Sequence, residues 1–141
     1  MTAFVVVLTV RAVWPEAKGE PVAWSDHSDE LGPLIITREA KRVFRDERQL
    51  ASYLSRVQAS RGAPRIDFAT RQLLLVSPGP RSSTGYGVEI VRVERRGDRL
   101  DVVVRERAPS LGDRMATRVT YPYRLVDLPR DGDVYVDWRG R

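Results

Sequence analysis

IDFATRQLLLVSPGPRSSTGYGVEI, residues 66–90, decides how this chain folds. Two apolar runs of strand type flank a connection dense in turn formers. Leu73-Leu74-Leu75-Val76 is unbroken rather than alternating, which is the pattern of a strand covered on both faces, and it is too short to be a whole helix. It is expected to be a central strand. Ser77-Pro78-Gly79-Pro80-Arg81-Ser82-Ser83-Thr84-Gly85 then gathers prolines without a donor, glycines and hydroxyl side chains, and reads as a long loop. Beyond it Tyr86, Val88 and Ile90 share one strand face, while Val91 and Val93 carry the apolar phase one residue out of step. A β-bulge near Ile90-Val91 accounts for the shift.

Downstream, the polar turn Arg95-Arg96-Gly97-Asp98-Arg99 joins Val88–Val93 to Leu100–Val104 as a hairpin, with Val103 implying some cover on the outer face. Ala108 to Arg114 is a loop. Val119 to Val126 reads as a strand in which Pro122 demands an edge position or a bulge, because proline cannot donate to a ladder. After a turn at Leu128–Asp133, the alternation of Val134-Tyr135-Val136-Asp137-Trp138 predicts a last strand. Upstream, Leu34–Thr37 and Arg42–Arg45 are β-favouring runs joined by Arg38–Lys41, which predicts a hairpin. Asp46 three residues before Gln49 has the layout of a capping box. Leu50, Tyr53, Leu54 and Val57 follow at i, i+3, i+4 and i+7, so a helix is expected from Glu47 to Ala59, ending before Gly62-Ala63-Pro64.

Together these elements predict an α+β fold, mainly antiparallel β-sheet with one amphipathic helix packed on it. A length of 141 residues suits a single domain, with an N-terminal strand and polar loop over 1–32 and the β-rich body over 33–138. The apolar run Phe4–Val10 is rich in β-branched residues and reads as a strand. It is cut by Arg11 well short of the roughly 20 residues a membrane span needs, and it lacks the flanks of a complete signal peptide, which leaves a truncated export signal as the alternative reading.

The net charge is +5, yet arginines alternate with carboxylates, as in Arg45-Asp46-Glu47-Arg48 and Arg105-Glu106-Arg107. That predicts a solvated surface of mixed sign and no nucleic-acid partner. With no cysteine the chain has no disulfide, thiolate catalysis or zinc-thiolate site. The one histidine lies in Trp24-Ser25-Asp26-His27-Ser28-Asp29-Glu30, which reads as a solvated loop rather than a triad or a metal site. Ser82 and Ser83 have only Lys18 or Lys41 as candidate lysine bases, both in polar segments. The expectation is therefore no enzyme, no cofactor and no metal.

IDFATRQLLLVSPG, TGYGVEIVRVE, LDVVVRERAP and TYPYRLVDLPR, taken in order over Ile66–Arg130, resemble the PrcB C-terminal domain family. The resemblance implies a small, β-rich, noncatalytic module. Such modules are usually found on exported or lipid-anchored proteins, and the best-known relative helps to assemble or stabilise a protease. It therefore suggests a protein partner, a protease or cell-envelope complex, and an exported or envelope location, although no lipobox cysteine or complete signal is seen. Arg81, Gly85, Tyr86, Tyr121, Pro122 and Tyr123 are the candidate partner-binding residues, each with core packing or backbone geometry as its competing role. The alternative function is a small-ligand or carbohydrate-binding β domain using Trp14, Trp24 and Trp138 as stacking platforms.

Overall fold

A computed structural model describes residues 19–140; the expected strand at Phe4–Val10 and Trp14 lie outside the described residues. In chain order the elements are β1 (Glu20–Pro21), β2 (Ser25–Asp26), α1 (Ser28–Leu31), β3 (Ala40–Phe44), α2 (Glu47–Arg56) and β4 (Arg71–Ser77). They continue with β5 (Arg81–Ser83), β6 (Gly87–Arg96), β7 (Arg99–Arg107), β8 (Thr117–Thr120), β9 (Arg124–Pro129) and β10 (Asp133–Arg139). One sheet is ordered β2-β9-β4-β3, a second β1-β6-β7-β10, and β5 pairs with β8 in a separate two-stranded ribbon. No helix among the described residues is long and apolar enough to cross a membrane.

The unbroken apolar run of β4 is explained by what covers each side of this interior strand. Leu73 and Leu75, with Leu125 of β9, face a layer built from Leu31, Leu34, Ile36, Phe44, Leu50, Tyr53, Leu54 and Val57. Leu74 and Val76, with Val126 and Leu128, face Val88, Ile90, Val93, Leu100, Val102 and Val104 of the other sheet. The molecule thus has three layers, helix over sheet over sheet, and β4 lies in the middle one. Each of its apolar side chains is fully buried and contributes about 1.5–3 kcal/mol by leaving water.

The expected bulge is present: Ile90 pairs with Val104 and Arg92 with Val103, so Val91 is the extra residue and the apolar phase resumes at Val93. The β6–β7 hairpin turns on Gly97 (φ +64) at the first central position, where an L side chain would be strained. Asp46 caps α2 by accepting from the Gln49 amide at 2.8 Å. Gln49 reaches back to the Arg45 amide at 3.1 Å, one residue beyond the usual capping-box partner. The helix ends at Arg56, short of Ala59, because Gln58 takes a positive φ of 58° and the Ala59 amide bonds to the Leu54 carbonyl at 3.0 Å.

Four expectations are corrected. Leu34–Thr37 does not pair as a strand: the Ile35 amide donates to the Val57 carbonyl at 2.9 Å, and Leu34 and Ile36 are buried under the helix layer. Its supposed hairpin partner instead joins the sheet through β4, with Ala40 and Lys41 already inside β3. The long loop after Ser77 contains β5, which finds its partner in β8. The strand expected over Val119–Val126 is two strands, broken at Tyr121-Pro122-Tyr123, where the proline removes a donor. The last strand, β10, pairs parallel with β7 whereas the other ladders are antiparallel.

The outer face of the β1-β6-β7-β10 sheet carries the mixed charges. Arg96 and Arg99 bracket Asp101 at 3.0 and 2.8 Å, Arg92 and Arg96 bracket Glu94 at 3.2 Å each, and Arg105 pairs with Glu89 at 3.3 Å. Val103 lies buried on that face beneath them.

Candidate functional site

All six sequence candidates gather at one end of the sandwich, around the β5–β8 ribbon. Arg81 pairs with Thr120 across the ribbon, which sets it one residue from Tyr121. The Arg81 guanidinium grips Glu106 at the end of β7 with two parallel bonds, one from Nε and one from Nη2 at 3.0 Å. It also donates to the carbonyls of Pro78 (3.2 Å) and Pro80 (2.9 Å) and sits over the Tyr86 ring at 6.0 Å. The bond to Glu106 raises the pKa of Arg81 further above its ordinary value. Arg81 therefore fastens the ribbon to the body, and most of its donors are spent there.

Gly85 is required by close approach: a Cβ built there would come within 2.7 Å of the Pro109 Cβ and 3.4 Å of the Met115 sulfur. Tyr86 is half-buried beneath Arg81. Tyr121, Pro122 and Tyr123 line a shallow groove with Pro33, Gly87 and Arg124. The Tyr123 hydroxyl is shared between the carbonyls of Gly32 (2.5 Å) and Ser28 (2.9 Å), and burial pushes its pKa up to about 12. The Pro122 carbonyl accepts from the Ser77 hydroxyl at 2.8 Å.

Sequence reading left out three exposed apolar side chains on the loop beside Gly85 and on β8. Leu111, Met115 and Val119 are exposed on the loop before β8 and on β8 itself, Leu111 completely so. Polar clamps keep them there: Thr84 and Ala116 exchange bonds at 3.0 and 2.8 Å, Thr120 donates to the Ser83 carbonyl at 2.8 Å, and Ser110 and Asp113 close the turn. Arg107, Arg114 and Arg118 are exposed around them. A leucine set between Ser110 and Gly112 in a polar turn was the available signal, since a turn tip offers it no core.

His27 is not a solvated loop residue, which corrects the sequence expectation. Its Nε2 bonds to Asp127 at 2.6 Å and its Nδ1 to Glu30 at 2.8 Å, and Asp127 is also held by Arg71. Burial works against the charged imidazole, but the bonds to Asp127 and Glu30 outweigh it and raise the pKa above 6.5. With carboxylates on both ring nitrogens, the ring offers no lone pair to a substrate proton. The Ser28 hydroxyl bonds to Asp26 at 2.5 Å rather than to His27, and the Ser83 hydroxyl accepts from the Gly85 amide at 3.2 Å. Among the described residues no group of three histidine, cysteine or acidic side chains is placed to hold a metal ion. Trp24 and Trp138 pack half-buried against the core between the sheets.

Comparison with curated proteins and with solved structures yields no match. Comparison with family models matches one, described as PrcB C-terminal, over residues 73–129, from the body of β4 to the last residue of β9. Those strands carry both the buried middle layer and the ribbon, and it is this part of the chain that matches the PrcB C-terminal family model.

Proposed function

We propose that the protein is a noncatalytic interaction module that binds and stabilises a partner protein through the β5–β8 end of the sandwich. The observation that carries this reading is the exposed set Leu111 and Met115 on the loop before β8 and Val119 on β8 itself, beside a ribbon that Arg81 and Glu106 tie to the body. Apolar anchors presented from a backbone that polar bonds already hold are what a docking surface needs, because that backbone has less freedom to lose on binding. Stabilising a partner requires no reactive group. A subunit that binds only the folded partner stabilises it by mass action, about 2.7 kcal/mol at a hundred times its dissociation constant. The engaged state of both His27 nitrogens supports the noncatalytic part of the reading. The family makes a protease-complex protein the partner to test first.

The test is affinity capture from the native host with the wild-type chain and with a Leu111→Asp, Met115→Asp, Val119→Asp variant. All three positions are exposed, so the variant is expected to melt with the wild type. It should lose the captured partner by about tenfold or more. A partner retained equally by both proteins would overturn the assignment to this surface, and turnover of a substrate by the purified chain would overturn the noncatalytic reading.

A further inference from the structure

A second surface follows the β3 edge of the β2-β9-β4-β3 sheet and meets the base of the ribbon only at its Arg38–Glu39 end, which lies against Gly79. β3 is the end strand of that sheet and pairs only with β4 among the described residues. Alternate residues of such a strand direct their N–H and C=O groups outward, and over five residues they offer a pairing edge of about 17 Å. Beside it runs a groove of about 500 Å³ lined by Ile35 to Arg42 and by Tyr53, Arg56, Val57 and Gln58 of the helix end.

The groove is charged in one sense. Arg38, Lys41, Arg42 and Arg56 line it against the single carboxylate Glu39. None of these four makes an ion pair with a described carboxylate, in contrast to the arginines of the other sheet. Arg42 and Arg56 both lie over the Tyr53 ring, at 5.1 and 5.7 Å from its centroid, so one ring gathers two like charges beside an edge that no other described strand pairs with. Strand alternation separates the two faces. Ala40, Arg42 and Phe44 face the helix layer, and Lys41 and the exposed Val43 face the other way.

We propose that this edge takes an extended acidic segment of a partner protein, which adds as a further strand beside β3 and sets carboxylates against Arg42 and Arg56. Backbone groups supply the pairing, and alternate side chains supply the choice. On the helix side they meet two guanidinium groups, which favours glutamate or aspartate. On the other side they meet Val43 and the stem of Lys41, which favours an apolar residue. Cations on an edge strand repel neutral and basic strands and so guard against indiscriminate pairing, while an acidic strand brings the charge that removes the repulsion. Only a chain with alternating N–H and C=O groups can satisfy both halves of the edge, so a polypeptide fits better than a polyanion that offers acceptors alone. The ribbon plays no part in this proposal.

The probe is a fluorescent peptide of about seven residues alternating glutamate with valine, titrated against the full chain. It should bind and should slow amide hydrogen exchange at alternate positions of residues 40–44. Arg42→Glu with Arg56→Glu should weaken it by about tenfold or more. Because both arginines lie on Tyr53, the exposed pair Arg38→Glu and Lys41→Glu repeats the test without touching the helix packing. The Leu111→Asp, Met115→Asp, Val119→Asp variant should bind the peptide as the wild type does, which separates this site from the ribbon. Any of four results overturns the proposal: no binding, equal binding of a lysine–valine peptide, undiminished binding of a backbone N-methylated peptide, or binding of a single-stranded oligonucleotide in place of the acidic peptide.

Discussion

Replacing His27 by glutamine should remove a pH-dependent clasp between the N-terminal segment and the sheet. The ring bridges Glu30 of α1 and Asp127 of β9. Glu30 is more than half exposed, so its share is small. Asp127 is buried and keeps Arg71 when the ring is lost, so no uncompensated carboxylate is left behind. The cost is therefore close to that of one charge-assisted hydrogen bond, about 1.5–3 kcal/mol. Its sign with pH follows from linkage. The pKa of His27 in the fold lies above the 6.5 of the unfolded chain, so the native state holds the proton more tightly. The stabilisation is fully present below pH 6.5 and is lost as pH rises through the folded pKa. Urea denaturation followed by circular dichroism at about pH 5.5 and about pH 8.5 spans that window. His27 is the only histidine, so the difference between wild type and His27→Gln isolates the ring. The difference should be largest in acid and shrink toward alkaline pH. A difference that stays constant, or grows with pH, would mean that the ring is neutral in the fold and refute the argument.

Gln72 is fully buried and donates to the carbonyls of Pro129 (2.7 Å) and Gly132 (2.8 Å); Gln72→Leu should strand both acceptors and cost about 2–3 kcal/mol in urea unfolding, and a neutral result would mean water replaces it. Tyr123→Phe should lower stability by about 1–2 kcal/mol and remove from the ultraviolet titration the tyrosine that ionises near pH 12; a variant that keeps this late step would assign it to another ring. Gly85→Ala should lower the melting temperature by overpacking against Pro109, at a cost of about 1–3 kcal/mol, and co-melting with wild type would show that the 108–116 loop yields freely.

Sequence reading reached the parts of this fold that are written locally. The absence of alternation in Leu73–Val76 gave the interior strand, the slip at Val91 gave the bulge, and Asp46 with Gln49 gave the start of the helix. What it missed depends on partners far along the chain. Leu34–Thr37 has β-favouring residues, but its backbone is claimed by the end of α2 and its side chains by the core. β5 is three residues long and exists only because β8, 37 positions away in the Thr120–Ser83 bond, lies against it. Alternation in β10 marks a strand but carries no direction, so its parallel pairing was beyond reach. His27 looked solvated because Asp127 is 100 residues distant. Of the sequence candidates, Arg81 ties the ribbon to β7, Gly85 admits Pro109 and Tyr123 is anchored on Gly32, while the exposed Leu111, Met115 and Val119 were not among them because exposure on a loop leaves no periodic signal.

The three-layer arrangement also sets how this module can be cut. The stretch matched by the family ends at Pro129, yet β10 lies beyond it, and α2 and β3 precede it. A clone trimmed to residues 73–129 would strip Leu73, Leu75 and Leu125 of their lid and leave one margin of β7 bare. Such a fragment should accumulate as insoluble aggregate, whereas one spanning residues 19–140 keeps every described layer. Domain truncations meant to map binding on this protein would otherwise report the loss of a fold as the loss of a contact.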